Sequence, residues 1–118
     1  SEYLALAQAP EASRHAWFLY PVMVKPNAPF TRAELGRYLE SKGVETRPIL
    51  AGNIEEQPVM RLIPHHVVGD LPASRAIMRR GLSVGIHQGI THERRDAFVH
   101  YIAEFMDQVA RARQPARH

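Results

Sequence analysis

The sequence predicts a small α+β domain, in which about three strands form a mostly antiparallel or mixed sheet with helices packed on one face. Three observations predict this fold. Apolar, β-rich segments alternate with helical segments in the order strand, helix, strand, irregular segment, helix, strand, helix. The connections between the first elements are short. The chain has 118 residues, of which 45% are hydrophobic, so it can bury one core but not two.

The predicted strands are the segments rich in aromatic and β-branched side chains. Residues 17–24 form the first of them, and its apolar character favours a central place in the sheet. Pro21 instead favours an edge or a bulge, because proline cannot donate a hydrogen bond to a neighbouring strand. The other two predicted strands are residues 44–50 and 82–86.

The predicted helices begin at recognisable caps. Thr31 followed by Glu34 has the spacing of a capping box, which predicts a helix over residues 32–42. A proline in the first turn and a glycine after the last predict a short helix at residues 71–80. Thr91 is the predicted N-cap of a long final helix at residues 92–112, whose apolar side chains recur at steps of three and four.

The ends of the chain differ from its middle. Residues 1–9 are rich in alanine and leucine and are cut off by Pro10, which predicts the end of a preceding helix. We therefore expect residues 1–14 to be that helix end with a linker, residues 15–112 to be the domain, and residues 113–118 to be a tail. This interpretation makes the sequence a fragment of a longer protein.

Composition excludes several classes of function. The chain has no cysteine, which rules out disulfides, thiolate catalysis and cysteine metal sites within it. It has no apolar run long enough for a membrane span, and a cytoplasmic location is predicted. His65 and His66 are neighbours whose side chains point apart, so no metal site is predicted. The net charge of +3 comes without a basic face interleaved with aromatic residues, so nucleic acid is not a predicted partner.

Two loops carry the polar residues that could bind a ligand. The stretch from Gly43 to Pro58 presents Arg47 beside a proline and then a Gly-Asn turn. An edge strand with a solvated arginine explains this stretch equally simply. The second loop, His87 and Gln88, follows the last strand and precedes a helix N-terminus, although a histidine satisfied within a tight turn is the alternative. We expect both loops to converge at one edge of the sheet.

The stretch Gly43–Pro58 also resembles a known family. Gly43-Val44-Glu45-Thr46-Arg47, with Gly52-Asn53 and Gln57-Pro58, is similar to the C-terminal domain of the DegT-type sugar aminotransferases. These enzymes have the aspartate-aminotransferase fold of the pyridoxal phosphate enzymes. The resemblance covers roughly residues 15–110, and it extends to three further stretches: Trp17–Pro21, Phe30–Leu35 and Ser83–Thr91.

One departure from the family pattern narrows the resemblance to a branch. Most members carry a His-Tyr-x-x-Pro-Leu-His type loop, whereas this chain reads Arg-Pro-Ile-Leu-Ala-Gly-Asn at residues 47–53. That loop, and residues 85–89, are similar to the NDP-4-keto-6-deoxyhexose 3-dehydratases, which make dideoxysugars for lipopolysaccharide O-antigen. The aminotransferase reading stays open as an alternative, and so does a free-standing interaction or nucleic-acid-binding module.

The resemblance implies a parent enzyme that binds a nucleotide-linked 4-keto-6-deoxyhexose through pyridoxal or pyridoxamine phosphate and expels the hydroxyl at carbon 3. It implies a homodimer in which a histidine replaces the Schiff-base lysine, and in some members an iron–sulfur cluster with a reductase partner. The catalytic residues would lie in a large domain outside this chain, so the fragment alone is expected to be inactive. The predicted substrate contacts within the chain are Arg47, Asn53, His87 and Gln88, whose donors and acceptors suit phosphates and sugar hydroxyls.

Overall fold

An antiparallel sheet forms the centre of the molecule in the computed structural model, which describes residues 1–113. The sheet has four strands in the order β1-β2-β4-β3, one more than the three or so predicted. They are β1 (Leu4–Leu6), β2 (Leu19–Val24), β3 (Thr46–Arg47) and β4 (Gly81–Gly85). The predicted α+β class is confirmed, whereas all but the first residue of the predicted tail at 113–118, Arg117 included, lies outside the described residues.

Three α-helices accompany the sheet. They are α1 (Arg32–Ser41), α2 (Pro72–Arg80) and α3 (His92–Ala112). Each lies where the cap and periodicity signals predicted it, and α3 has the predicted bounds. Between β3 and α2 the chain makes two short 3-10 turns, Ile54–Glu56 and Pro58–Leu62, within the segment that the sequence left irregular.

The hydrophobic core lies between one face of the sheet and the helices α1 and α3. Successive strand side chains point to opposite faces, and Val22 and Leu82 are paired on the face that is buried. Leu35 and Leu39 of α1 are fully buried there. Phe105 of α3 completes the core, with its ring edge-on to that of Phe30 at a centroid distance of 5.0 Å.

The N-terminal segment corrects one prediction. Residues 1–9 do not form a helix end, because Leu4–Leu6 is the edge strand β1, with Leu4 paired to Val24. Leu4 is buried in the core, so pairing with β2 and burial outweigh the helix propensity of the alanines and leucines. The strand therefore belongs to the same sheet as the rest of the domain.

Two prolines mark where the sheet pairing stops. β2 is central, as its apolar character predicted, and Pro21 lies within it rather than at an edge or a bulge. β1 pairs only with Val22–Val24, so Pro21 lies past the end of that ladder and needs no donor toward β1. β3 is only two residues long, because Pro48 follows Arg47 and cannot continue the donor pattern.

The capping box at the start of α1 yields a testable prediction. The Thr31 hydroxyl accepts from the Glu34 amide at 3.2 Å, and the Thr31 amide donates to the Glu34 carboxylate at 2.7 Å. Replacing Thr31 by alanine should lower the free energy of unfolding by about 1 kcal/mol at neutral pH, measured by urea denaturation. Ser41→Ala is the matched control, because Ser41 is an exposed residue that bonds only within the last turn of α1.

The same variant should change how stability depends on pH. The amide and the hydroxyl of Thr31 hold the pKa of Glu34 below its ordinary value of 4.5. A lowered folded-state pKa gives stability that is complete above the ordinary value and is lost as the pH falls through the lowered one. The difference between wild type and Thr31→Ala should therefore shrink below pH 4.5. A difference that stays constant down to the acid unfolding transition would refute this coupling.

Candidate functional site

A shallow cleft lies beside the loop that follows β3. Its volume is about 370 Å³, and its wall consists of the loop residues 48–52 together with Arg32, Gln57 and Met78. The cleft therefore brings together the start of α1, the Arg-Pro loop and the end of α2. Sequence reasoning singled out the loop but neither the arginine nor the helix that faces it.

The loop is held in place by contacts on both sides. The Gln57 side-chain amide donates to the Ala51 carbonyl at 2.8 Å. Gly52 has a φ of +62°, and a Cβ at this position would lie 2.8 Å from the Met78 Cβ. Only glycine allows both this left-handed backbone and this close approach of α2. Leu50, at φ +34°, stands at the exposed tip of the loop.

Arg32 is anchored on the opposite wall of the cleft. Its Nη1 donates to the carbonyls of Met78 at 2.7 Å and of Gly81 at 3.2 Å. Both carbonyls lie at the C-terminal end of α2, where helix carbonyls lack partners within the helix. The signal that could have found Arg32 is its place at the first position of α1, where a cation is unfavourable unless it has partners elsewhere.

Arg47 lies at the end of β3 with its side chain largely exposed. It forms an ion pair with the exposed carboxylate of Glu45, and its backbone carbonyl accepts from the Ser83 hydroxyl at 3.1 Å. An exposed pair of this kind contributes little to stability and can be exchanged for another anion at small cost. Arg47 is therefore accessible from solvent, although it does not line the cleft.

Asn53 is placed differently from the prediction. Its side chain is buried, with only 2% of the residue exposed, and its amide donates to the Glu56 carboxylate at 3.2 Å. A side chain in this position supports the turn that follows the loop. It does not present its amide to a ligand in this structure, because it is almost fully buried.

His87 and Gln88 are both exposed in the turn after β4. The Gly89 amide donates to His87 Nδ1 at 3.0 Å, and the Ile90 amide donates to the His87 carbonyl at the same distance. Since Nδ1 accepts a hydrogen bond from the Gly89 amide, the neutral ring carries its hydrogen on Nε2. The histidine therefore closes its own turn, as the alternative interpretation held, and keeps one outward-facing donor.

The expected convergence of the two loops is wrong. β3 and β4 are antiparallel, with Arg47 opposite Ser83, so the chain leaving β3 runs toward the beginning of β4. His87 follows the other end of that strand. Four residues of extended chain, roughly 13 Å, separate the level of Arg47 from that of His87. Arg47 therefore lies level with the middle of β4 and His87 beyond its C-terminal end, so the two loops leave the sheet in opposite directions.

Neither a metal site nor a membrane-spanning helix is found among the described residues. Within residues 1–113, no group of three His, Cys, Asp or Glu side chains is arranged to hold a metal ion. Arg75 instead pairs with Glu56 at 3.4 Å. Within residues 1–113, no helix has both the length and the apolarity to cross a membrane.

Six large apolar side chains are exposed between positions 54 and 68, on the segment that joins β3 to α2: Ile54, Val59, Leu62, Ile63, Val67 and Val68.

A comparison with known families identifies the family to which this chain belongs. The sequence profile of the DegT/DnrJ/EryC1/StrS aminotransferase family matches residues 1–103. The chain belongs to this family. The DegT/DnrJ/EryC1/StrS match includes β1, the cleft loop and the turn at His87.

Several family members are similar to this chain in sequence and structure. It is 34% identical over 105 residues to the lipopolysaccharide biosynthesis protein RfbH of Salmonella typhimurium, covering 89% of this chain and 24% of that protein. It is 34% identical over 103 residues to dTDP-4-dehydro-2,6-dideoxy-D-glucose 3-dehydratase of Saccharopolyspora spinosa, covering 87% and 22%. The structure of the E. coli GDP-4-keto-6-deoxy-D-mannose-3-dehydratase with bound hydrated PLP superposes with a TM-score of 0.73 at 27% identity, covering 84% and 25%. The chain thus spans about a quarter of the length of these relatives.

Neither of the two lysines of the chain lines the cleft. The usual attachment point of this cofactor is a lysine amine. Lys25 donates to the Ser1 carbonyl at 2.9 Å, and Lys42 pairs with Glu104 at 3.2 Å, so both lysines of the chain are engaged away from the cleft. We therefore assign no step of cofactor chemistry to these residues.

Proposed function

We propose that this chain is the C-terminal domain of a 3-dehydratase that acts on a nucleotide-linked 4-keto-6-deoxyhexose with pyridoxal or pyridoxamine phosphate. Dideoxysugar synthesis for lipopolysaccharide O-antigen is its proposed pathway, and the domain alone is expected to be inactive. The supporting observation is that similar proteins are named 3-dehydratases of deoxysugar nucleotides, and that the fold superposes on one with bound PLP.

The Arg-Pro-Ile-Leu-Ala-Gly-Asn loop supports the same proposal. Its residues 48–52 line the cleft, and it is fixed by Gln57 and by the close contact of Gly52 with Met78. A fixed loop at the surface of a small domain can orient a substrate when the domains of an enzyme close. The proposal also includes a homodimer, a cytoplasmic location and, as in some of the dehydratases that the sequence resembles, an iron–sulfur cluster with a reductase partner.

Three of the predicted contacts remain as proposed substrate-side residues. Arg47 offers a guanidinium that is exposed and only weakly held by Glu45. His87 and Gln88 offer exposed donors beyond the C-terminal end of β4. We propose that Arg47 and the turn at His87 contact different parts of an extended ligand, since they are too far apart to bind the same chemical group. Asn53 is proposed as a support of the loop.

The test of this function uses the complete coding sequence that contains this chain. The purified enzyme is incubated with pyridoxamine phosphate and a GDP- or dTDP-linked 4-keto-6-deoxyhexose, and products are identified by mass spectrometry and NMR. We expect loss of the hydroxyl at carbon 3, whereas the 118-residue chain alone should leave the substrate unchanged. An amino sugar that keeps that hydroxyl would instead show an aminotransferase, the activity after which the family is named.

The same assay tests Arg47. Replacing it by glutamine removes the charged fork, and we expect KM for the sugar nucleotide to rise about tenfold with a smaller change in kcat. Arg37→Gln is the control, because Arg37 is an exposed arginine on α1 outside the cleft. Equal kinetic constants for the two variants would remove Arg47 from the substrate-binding residues.

A further inference from the structure

Arg32 is an anchored cation whose bonding capacity is only partly used. One of its nitrogens, Nη1, donates to the carbonyls of Met78 and Gly81. A guanidinium carries five N–H donors, so the Nε and Nη2 groups remain. Among the described residues, no carboxylate lies within ion-pair distance of Arg32, and its side chain borders the cleft.

Capping of α2 explains part of this arrangement. A cation beside the last carbonyls of a helix is favourable, and Nη1 alone supplies that interaction. A lysine would serve as well, because a single donor group is all that these two carbonyls require. Capping thus explains where the Arg32 side chain lies. It does not explain the Nε and Nη2 groups, which have no partner among the described residues.

The electrostatic surroundings of Arg32 favour an anion in the cleft. Arg32 is the first residue of α1, so its charge adds to the positive end of that helix, and the carbonyls at the end of α2 offset only part of that charge. Glu34, the acidic residue of the first turn, is held by Thr31 in the capping box and makes no ion pair with Arg32. A half-buried cation in such a place is stabilised most by an oxyanion that accepts from its remaining donors.

We propose that Arg32 binds a phosphoryl oxyanion in the cleft formed with residues 48–52. This inference rests on the proposed function for the identity of the ligand, which is either the diphosphate of the sugar nucleotide or the phosphate of the cofactor. Both groups present oxygens that match two parallel N–H donors of a guanidinium. The contacts to Met78 and Gly81 fix the fork before the ligand arrives, which reduces the entropic cost of binding.

The test titrates the full-length enzyme that contains this chain with inorganic pyrophosphate and follows the arginine side-chain Nε–Hε signals by NMR. We expect a saturable shift of the Arg32 signal. Arg32→Lys, which keeps a donor for the α2 carbonyls and loses the fork, should bind pyrophosphate about tenfold more weakly. Arg37→Lys, the matched control on the exposed side of α1, should bind within about twofold of wild type, since exposed charges contribute little.

The two sources of phosphate are separated by further titrations with GDP and with pyridoxal phosphate under the same conditions. A shift of the Arg32 signal by only one of them identifies the ligand class. An unshifted Arg32 signal in the wild-type enzyme, or equal weakening by Arg32→Lys and Arg37→Lys, would overturn the proposal. Thermal unfolding shows whether Arg32→Lys folds. If it does not fold, the titration of the wild-type protein still tests whether Arg32 binds phosphate.

Failure of this proposal is distinguishable from failure of the proposed function. Dehydration of the sugar by the full-length enzyme, together with no response of Arg32 to any phosphate, would reject the Arg32 site alone. A phosphate response at Arg32 in a protein that forms an amino sugar would keep the site and reject the dehydratase activity.

Discussion

Replacing Leu39 by alanine should lower the free energy of unfolding by about 3 kcal/mol. Leu39 lies on the inner side of α1, where its exposed fraction is 0%, and it belongs to the same core cluster as Phe105. Removing its side chain loses the transfer energy of the buried methyl groups and leaves a cavity that a close-packed core fills poorly. Urea denaturation followed by circular dichroism measures this change directly.

Leu62→Ala is the matched control for that prediction. Leu62 is the same residue type, but 83% of it is exposed, on the second 3-10 turn. Its replacement should change the free energy of unfolding by less than about 0.5 kcal/mol, because little apolar surface returns to water. Similar losses for the two variants would mean that the segment at Leu62 is buried in solution, and that the described packing of α1 is not the main source of stability.

The helices could be predicted because their signals are local. Thr31 and Thr91 each accept from a backbone amide three residues later, as a capping residue does, and the sequence shows both. The apolar spacing of α3 then predicts its full length. A structure whose determinants lie within four residues of one another can be recognised without knowing the fold.

The shortest strands could not be predicted because they depend on partners far along the chain. Leu4–Leu6 has the composition of a helix, and it becomes β1 only because β2 offers an open edge. β3 is limited to two residues by Pro48, although its apolar continuation predicted a longer strand. In both cases the deciding contact lies in the pairing of the sheet and not in the local sequence.

The candidate site also depends partly on local signals and partly on contacts between distant residues. The residues of the Arg-Pro loop were recognised as special, but the orientation of β3 relative to β4 determines which side chains share a surface. Arg32 joins the cleft through a contact with a residue 46 positions away, so its place at the start of α1 marks it as unusual but does not reveal its partner. Local composition therefore identified one wall of the cleft, and the tertiary fold supplied the other.

Gly81→Ala should destabilise the domain by about 2–3 kcal/mol, since it places a methyl group where the fold leaves no room. A Cβ at this position would lie 2.6 Å from the Ile77 carbonyl oxygen and 2.6 Å from Ile49 Cδ1. The carbonyl is backbone at the end of α2 and accepts from the Gly81 amide, so it cannot move without opening that helix end. Thermal and urea unfolding should both report the loss.

Gly85→Ala is the control within the same strand. Nothing lies within 4 Å of a Cβ at Gly85, so the added methyl should be neutral or stabilising by up to about 1 kcal/mol. A loss of stability in Gly81→Ala but not in Gly85→Ala would show that the tight packing lies at the junction of α2, Ile49 and β4. Because the Gly81 carbonyl also anchors Arg32, the variant should weaken pyrophosphate binding as well as the fold. Equal effects of the two substitutions would show that this junction is not tightly packed, and the preorganised cleft would lose its structural basis.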